Sequence, residues 1–345
     1  MRVLVMLSGG VDSSVAAARL VAAGHDVVGV TLKLWGGESD TGCCSVADVD
    51  DARRAADRIG VEHHVFNLGD EFTAAVVEPY VAAHAAGRTP NPCVECNRHL
   101  KFGKVLRRAD ALGFDAVATG HHARVVERSD GTRRLARGVD AAKDQSYVLG
   151  VLDQRALART LLPVGTTTKL DVRAEAARLD LVTAAKPDSQ EVCFIRRAPG
   201  RRGFLGDRLA LTPGRVVDTA GRPVGHLAAV ELVTVGQRRG LGGGGGAEPR
   251  YVIAVDVAAA EVVVGAEADL LVDIQAVSPA SWTWADTPVS GPVLAQCSAH
   301  GEATPAELAP GGHALRWSRP RRRVAPGQLV VVYDGDQVVG SAVAR

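Results

Sequence analysis

Three groups of residues have the types and spacing to do chemistry. They are Ser8-Gly9-Gly10-Val11-Asp12-Ser13-Ser14, the pair Cys93 and Cys96 with Cys193 about a hundred positions later, and arginines crowded in the second half of the chain. In the first group, two glycines let the backbone curl and approach a ligand, while Ser hydroxyls and helix-start N–H groups offer donors to phosphate oxygens. That is an anion cradle. The string lacks the lysine of G-x-x-x-x-G-K-[ST] and the spacing of G-x-G-x-x-G, so neither a Walker loop nor a dinucleotide fingerprint fits. The plain alternative is a strand-to-helix turn with Asp12 or Ser13 as N-cap.

The thiols admit two chemistries. Pro90 to Asn97 begins a helix, and a thiol near a helix N-terminus has a lowered pKa and more of the nucleophilic thiolate, which suits Cys96 to attack. Cys-x-x-Cys also has metal-ligand spacing, and with Cys43-Cys44 or Cys193 it would complete a zinc or iron–sulfur site. If the anion cradle holds ATP, the economical reading is sulfur chemistry, one thiol carrying a persulfide and another resolving it as a disulfide. Cys43, Cys44 and Cys297 read as small buried thiols.

These residues need a scaffold that brings distant segments together. Val3 to Leu7 reads as a buried central strand and Ser13 to Ala23 as an Ala-rich helix closed by Gly24. Strands follow at Asp26 to Leu34, Glu62 to Phe66 and Asp115 to Ala118, with helices at Asp48 to Ile59, Glu71 to Ala86 and Arg98 to Leu112, and a polar loop at Gly36 to Gly42. This alternation predicts an α/β domain with a doubly wound parallel sheet, whose ligands sit at the carboxyl ends of the strands. After Phe194 the pattern changes to short Val-rich runs punctuated by Gly and Pro: Gly214 to Val217, Val230 to Val235, Tyr251 to Val257, Val262 to Val264, Val293 to Gln296 and Leu329 to Tyr333. The expected domains are 1–195, followed by two small β domains at 196–272 and 273–345. Gly242 to Gly246 reads as a flexible loop.

With 345 residues, 46% of them apolar, the chain can bury two or three cores and is not a disordered protein. About five apolar residues after Arg2 are too few for a signal peptide, and no stretch approaches a membrane span, so the expected location is the cytoplasm. Six cysteines without such a signal point to reactive or metal-binding thiols rather than a disulfide scaffold. The net charge of +1 hides arginine clusters at Arg196 to Arg208, Arg238-Arg239 and Arg316 to Arg323, which are either solvated surface or phosphate-binding patches.

SGGVDSS resembles the pyrophosphate loop of N-type ATP pyrophosphatases, the adenine-nucleotide alpha-hydrolase-like PP-loop fold. With GVTLKLW (29–35), TPNPCVECN (89–97), ATGHHAR (118–124), KDQSYVL (143–149), VCFI (192–195), TVGQRRGL (234–241) and APGQLVVVYDG (325–335), the chain as a whole resembles the tRNA-specific 2-thiouridylases. The resemblance implies ATP-dependent replacement of the C2 oxygen of the wobble uridine (position 34) in tRNAs reading Lys, Glu and Gln codons. A cysteine desulfurase or persulfide carrier would be the sulfur donor, and Mg²⁺ would accompany ATP. It further implies that Met6, Leu7, Ser8, Gly9, Gly10, Val11, Asp12, Ser13, Leu32 and Gly120 hold ATP, with Leu32 against the adenine. Asn91, Pro92 and Cys93 would contact the flipped-out base. His121, Lys143, Asp144, Gln145, Arg316, Trp317 and Gln328 would touch tRNA. Cys193 would carry the persulfide, and Cys96 would be the partner nucleophile, ending in a Cys96–Cys193 disulfide.

Departures from the family pattern bear on the chemistry. Cys93 stands where some members carry an aspartate, which leaves three thiols for an iron–sulfur site as the alternative to a persulfide, and His122 replaces a frequent tyrosine. Two other readings compete. Another ATP pyrophosphatase, such as an amidotransferase-type synthetase or a different tRNA thiolase, would share SGGVDSS but has no need of Cys96 and Cys193 together. A non-catalytic, zinc-stabilised RNA-binding module would hold stoichiometric zinc, turn over no ATP and keep its RNA affinity after loss of Asp12.

Overall fold

The alternation of side chains along the first strand sets the architecture. Strand β1 (Arg2–Met6) points Val3 and Val5 to one face, where Leu7 also packs, and Leu4 and Met6 to the other. On the first face they meet Ala17 and Leu20 of helix α1 (Val11–Ala22) and Ala52 and Ala56 of helix α2 (Val46–Ile59). On the second they meet Phe72, Val76 and Tyr80 of a helical run over 69–85 and Leu100 and Val105 of another over 92–111. A strand apolar on both sides must be covered on both, and each such side chain contributes about 1.5–3 kcal/mol on burial. The strands β2 (Asp26–Lys33), β3 (Glu62–Asn67), β4 (Ala116–Ala118) and the two-residue β7 (Thr160–Leu161) complete a parallel sheet in the order β3-β2-β1-β4-β7. This is the expected doubly wound sheet. The computed structural model describes residues 1–35, 45–188, 192–195, 198–241 and 249–345. The loop Gly36 to Gly42, Cys43, Cys44, residues 189–191, Arg196, Arg197 and the five-glycine run lie outside the described residues.

Two β units follow. Strands β8 (Gly214–Asp218), β9 (Pro223–Leu227), β10 (Tyr251–Asp256) and β11 (Glu261–Gly265) form a sheet in the order β10-β11-β8-β9 around Val216, Val230, Val252, Val262 and Val264. The C-terminal sheet contains β12 (Leu271–Ala276), β13 (Thr283–Trp284), β14 (Gly291–Gln296), β15 (Thr304–Leu308), β16 (Ala314–Arg322), β17 (Leu329–Asp334) and β18 (Gln337–Val343). Its core includes Leu308, Leu315, Trp317, Val330 and Val332.

Several elements differ from the sequence expectation. Val230–Leu232 is a 3-10 turn rather than a strand, fixed by buried Glu231, whose carboxylate accepts two bonds from the Thr212 N–H at 3.0 and 3.1 Å. The helix expected over 71–86 contains a π segment at Thr73–Val77, because Pro79 has no N–H to return to Ala75. The helix start expected within Pro90 to Asn97 falls at Pro92, with Asn91 as N-cap and proline at the first helical position, and it runs on without a break into the helix expected from Arg98. A hairpin with no counterpart among the expected strands, β5 (Ala123–Glu127) and β6 (Arg133–Arg137), leaves the N-terminal α/β domain and joins the C-terminal sheet beside β18.

Candidate active site

The loop after β1 is built by its glycines and serines. Gly9 has φ +70°, and a Cβ there would run into the Asp48 carbonyl at the start of α2. Gly10, the N-cap of α1, offers no side chain, while Ser13 and Ser14 each turn a hydroxyl back to the Gly10 carbonyl at 3.0 Å. Ser13 Oγ also accepts from the Ser8 N–H at 3.2 Å, closing the curl. The result is a helix start whose amide donors face outward without a side-chain cap, an arrangement that receives phosphate oxygens. Gly120, after the neighbouring β4, presses on this loop so closely that an added Cβ would lie 2.5 Å from the Asp12 carbonyl carbon. Leu32 near the end of β2 and Met6 of β1 are buried in the adjoining apolar cluster.

Asp12 is the electrostatic hinge of the site. Its Oδ1 accepts from His122 Nε2 at 3.0 Å and its Oδ2 from Lys169 Nζ at 2.6 Å. Burial alone would raise its pKa, but the His122 and Lys169 bonds outweigh that and hold the carboxyl below the ordinary aspartate range. Lys169 also reaches Asp188 Oδ1 at 2.9 Å, and Asp188 accepts from Lys143 Nζ at 2.8 Å and Arg173 Nη2 at 2.6 Å. Burial pushes Asp188 upward, and the lysine bonds overcome it to leave it far below the usual carboxylate value. Neither Lys169 nor Asp188 was named from the sequence. The readable signal was Thr168-x-x-Asp171, a capping box present in the fold that announces a helix start at Lys169.

The segment 143–145 docks against the same strand end. Gln145 Oε1 accepts from the His122 N–H and the Gln145 N–H donates to the His122 carbonyl, both at 2.9 Å. Asp144 directs its carboxylate inward, accepting from Arg137, the Gly138 N–H, and the N–H and hydroxyl of Ser146. This carboxylate fastens the end of the hairpin to the 144–146 segment. His121 shares a 2.7 Å hydrogen bond with Thr119 Oγ1 and lies 6.1 Å from the Phe102 ring. Burial, with smaller effects from Lys101 and His122, lowers its pKa well below the ordinary histidine value, so it is neutral at physiological pH.

Cys96 is buried in the cluster that also holds Met6 and Leu32, and Cys193 packs against that cluster from its edge. Distant in sequence, the two thiols both belong to this large cluster, which also takes in Leu329, Val331 and Val338 of the C-terminal sheet. Phe194 secures this arrangement, with its ring centroid 5.0–6.1 Å from Phe204, Phe72, Tyr80 and Trp35. Asn91 accepts from the Cys93 N–H at 3.0 Å, Pro92 is buried and Cys93 is exposed on the first helical turn. Among the described residues, no three histidine, cysteine or acidic side chains converge as metal ligands. No described helix is long and apolar enough to cross a membrane.

The C-terminal candidates separate. Arg316 is exposed on β16, whereas its neighbour Trp317 is 6% exposed within the C-terminal core. Gln328 donates its side-chain amide to the Thr89 carbonyl, and the Thr89 N–H donates to Pro326 at 2.8 Å. Thr89 Oγ1 also bonds Thr234 of the middle unit at 3.3 Å, so all three units meet two residues before Asn91.

Residues 1–197 match a family described as the tRNA methyl transferase HUP domain, residues 202–266 its PRC-barrel domain, and residues 273–344 an aminomethyltransferase beta-barrel domain. The chain is 49% identical to the tRNA-specific 2-thiouridylase MnmA of Streptomyces coelicolor, over 99% of this chain and 94% of that one. It is also 49% identical to the protein of that name from Salinispora arenicola, over 99% and 98%. Among solved structures, a 4-thiouridine synthetase–RNA complex with bound ATP aligns at TM-score 0.35 and 16% identity, over 54% of this chain and 42% of that one. At this identity and coverage by the curated relatives, the chain belongs to the tRNA-specific 2-thiouridylase family.

Proposed function

We propose that this protein is a tRNA-uridine 2-sulfurtransferase that uses ATP to convert the wobble uridine of tRNA to 2-thiouridine. What supports the reading is that Cys96 and, at its edge, Cys193 belong to the same large apolar cluster as Met6 and Leu32 of the strands that lead into the glycine–serine loop and its neighbour. ATP pyrophosphatase chemistry alone has no use for two thiols there.

Uridine C2 is an amide-like carbonyl with a poor leaving group. Attack of its oxygen on the α-phosphorus of ATP expels pyrophosphate and makes AMP the leaving group, while the amides of the Ser8 to Ser13 loop and Lys169 balance the phosphate charge. Mg²⁺ binds phosphates with one or two carboxylates, and Asp12, with lone pairs left on both oxygens, suits that part; the ion would neutralise charge on the phosphates. The terminal sulfur of a Cys193 persulfide then attacks C2 as AMP departs, giving a Cys193–S–S–C2 adduct. The Cys96 thiolate attacks the Cys193 sulfur, releasing 2-thiouridine and leaving a Cys96–Cys193 disulfide for an external dithiol to reduce. The base must leave its stack to reach Asn91, Pro92 and Cys93. His121, Lys143 and Gln145 lie beside the nucleotide loop to receive the anticodon, and exposed Arg316 suits a backbone phosphate. A desulfurase or persulfide carrier loads Cys193, the substrates are tRNAs for Lys, Glu and Gln, and the reaction is cytoplasmic.

The test is nucleoside mass spectrometry of a tRNA transcript incubated with the protein, ATP, Mg²⁺ and a persulfide donor, with Cys96→Ala and Cys193→Ala in parallel. ATP-dependent 2-thiouridine that disappears in both variants is the expected result. Pyrophosphate release without 2-thiouridine would overturn the substrate, and thiolation by both variants with free sulfide would overturn the persulfide route.

A further inference from the structure

We propose that a cavity of about 250 Å³, enclosed by the helical run over 92–111, the segment 151–156 and Thr283 of β13, is a binding site for a compact phosphate monoester with an apolar body. The site is independent of the sulfur chemistry proposed above. It has an apolar floor and a cationic rim. Phe102, Leu106, Val151, Leu152 and Ala156 line the floor, and each is buried. Arg98, Arg107 and Arg155 stand around it, with Asp153 as the lining carboxylate. Three guanidinium charges against one carboxylate leave the lining with two positive charges. Asp153 is already committed, since it accepts from the Ala156 N–H at 2.9 Å as the cap of the helix Gln154–Ala158.

The arginines have donors to spare. Arg98 spends one N–H on Thr283 Oγ1 at 2.7 Å, while its carboxylate partner Glu95 lies 3.6 Å away and is shared with His99 at 3.1 Å. Arg155 reaches Asp110 at 3.4 Å, and Asp110 also serves Arg159. Among the described residues, the Arg107 guanidinium has no ion-pair or hydrogen-bond partner. Each guanidinium presents five N–H donors in a planar fork. A phosphate monoester brings three oxygens and close to two negative charges at pH 7, so it answers both the donors and the charge, whereas a carboxylate answers half the charge. The floor selects the rest of the ligand, because an aromatic or short aliphatic group laid on Phe102 and Leu106 exchanges water for apolar contact. The volume lies just below the roughly 300–1,000 Å³ of typical small-molecule sites, which admits one ring or a short chain. The occupant would touch both the N-terminal domain and Thr283 of the C-terminal sheet, holding these units together at a place separate from the Gln328–Thr89 contact.

The probe is phenyl phosphate, titrated calorimetrically into the full-length protein, with inorganic phosphate and phenol as partial ligands. α,β-Methylene-ATP and Mg²⁺ are present at saturation, so that the loop before α1 offers no competing anion site. One phenyl phosphate per chain is expected, bound at least about tenfold more tightly than either partial ligand and raising Tm. Arg98→Gln and Arg107→Gln should each weaken it by about tenfold, the effect of one charge-assisted hydrogen bond, and Arg107→Lys should recover part of that loss. Ala156→Leu, which fills the floor, should abolish binding. Should that variant fail to fold, the exposed Arg107 carries the test, because its replacement removes no partner from the folded chain. Absence of phenyl phosphate binding, or an affinity unchanged in both Arg98→Gln and Arg107→Gln, would overturn the proposal. Equal affinity for inorganic phosphate would mean an adventitious ion only and would overturn it as well. The two readings fail separately: loss of analogue binding counts against the function proposed above, while the Arg98 and Arg107 variants decide this site.

Discussion

Replacing Gly120 by alanine tests how tightly β4 and the nucleotide loop are pressed together. The added Cβ would lie 2.5 Å from the Asp12 carbonyl carbon and closer still to the Ser13 N–H, where ordinary contacts begin near 3.4 Å. Both neighbours are backbone, so no side chain can rotate away and the two segments must part by about 1 Å. Overpacking of this kind costs about 1–3 kcal/mol, and each kcal/mol lowers Tm by roughly 2–4 °C in a domain of this size. The functional effect should be larger, because a displacement of about 1 Å at a reacting centre lowers the rate by on the order of a hundredfold. The assay is tRNA-dependent pyrophosphate release at varied ATP, with Gly206→Ala as control, where the Cβ would meet only Leu211 Cδ1 at 3.4 Å. A Gly120→Ala enzyme within twofold of the unaltered kcat/KM for ATP, with an unchanged Tm, would refute the close approach.

Trp317→Ala should lose about 3–5 kcal/mol in denaturant titration, since its ring fills the C-terminal core, whereas Arg316→Ala should be stable and lower the salt slope of tRNA binding by about one. An unchanged slope would remove Arg316 from the phosphate contacts. Burial pushes the Cys297 thiol up to about 12, so it should resist iodoacetamide at pH 8 until the protein unfolds, while exposed Cys93 reacts; equal rates in the native protein would contradict this. Asp188 has a depressed pKa, so its contribution to stability is complete above the ordinary aspartate value of 3.8 and is lost as pH falls towards its lower folded value. The stability gap between the unaltered protein and Asp188→Asn should therefore be full at pH 7 and narrow below about pH 4. A gap that widens in acid would show the sign to be wrong.

What could be read from the residues followed local rules. The apolar run before Ser8, the glycines of the loop and the Gly caps at Gly24 and Gly60 each decide a conformation within a few positions, and the parallel sheet follows from their order. The misreadings came from distant partners. Val230–Leu232 looks like a strand by composition, but a buried glutamate accepting from the Thr212 N–H makes it a turn. The hairpin over 123–137 contains the turn signal Asp130-Gly131, yet its arginine-rich strands carry little alternation, because their partners are acidic residues some 150 to 210 positions away. In the site, the loop and the thiols announced themselves through motifs, whereas Lys169, Asp188 and Phe194 act through contacts that only the fold creates. Trp317 shows the reverse, a residue named through the family resemblance whose side chain is committed to packing.

The hairpin has a consequence for how the chain comes to be made. Arg124 bonds Asp336, and Arg128 and Arg134 bond Asp286, while Ala136 pairs with Gln337. When residue 137 is joined to the growing chain, the strand that will cover this hairpin is still about 200 codons from synthesis. At about 5–20 residues per second, the nascent chain carries an uncovered strand edge for roughly 10–40 s. Arginines at 124, 128, 133, 134 and 137 make that edge a poor template for another nascent chain on the same message, since like charges repel. The residues that later clasp the two ends of the enzyme thus first serve as its guard against aggregation during translation.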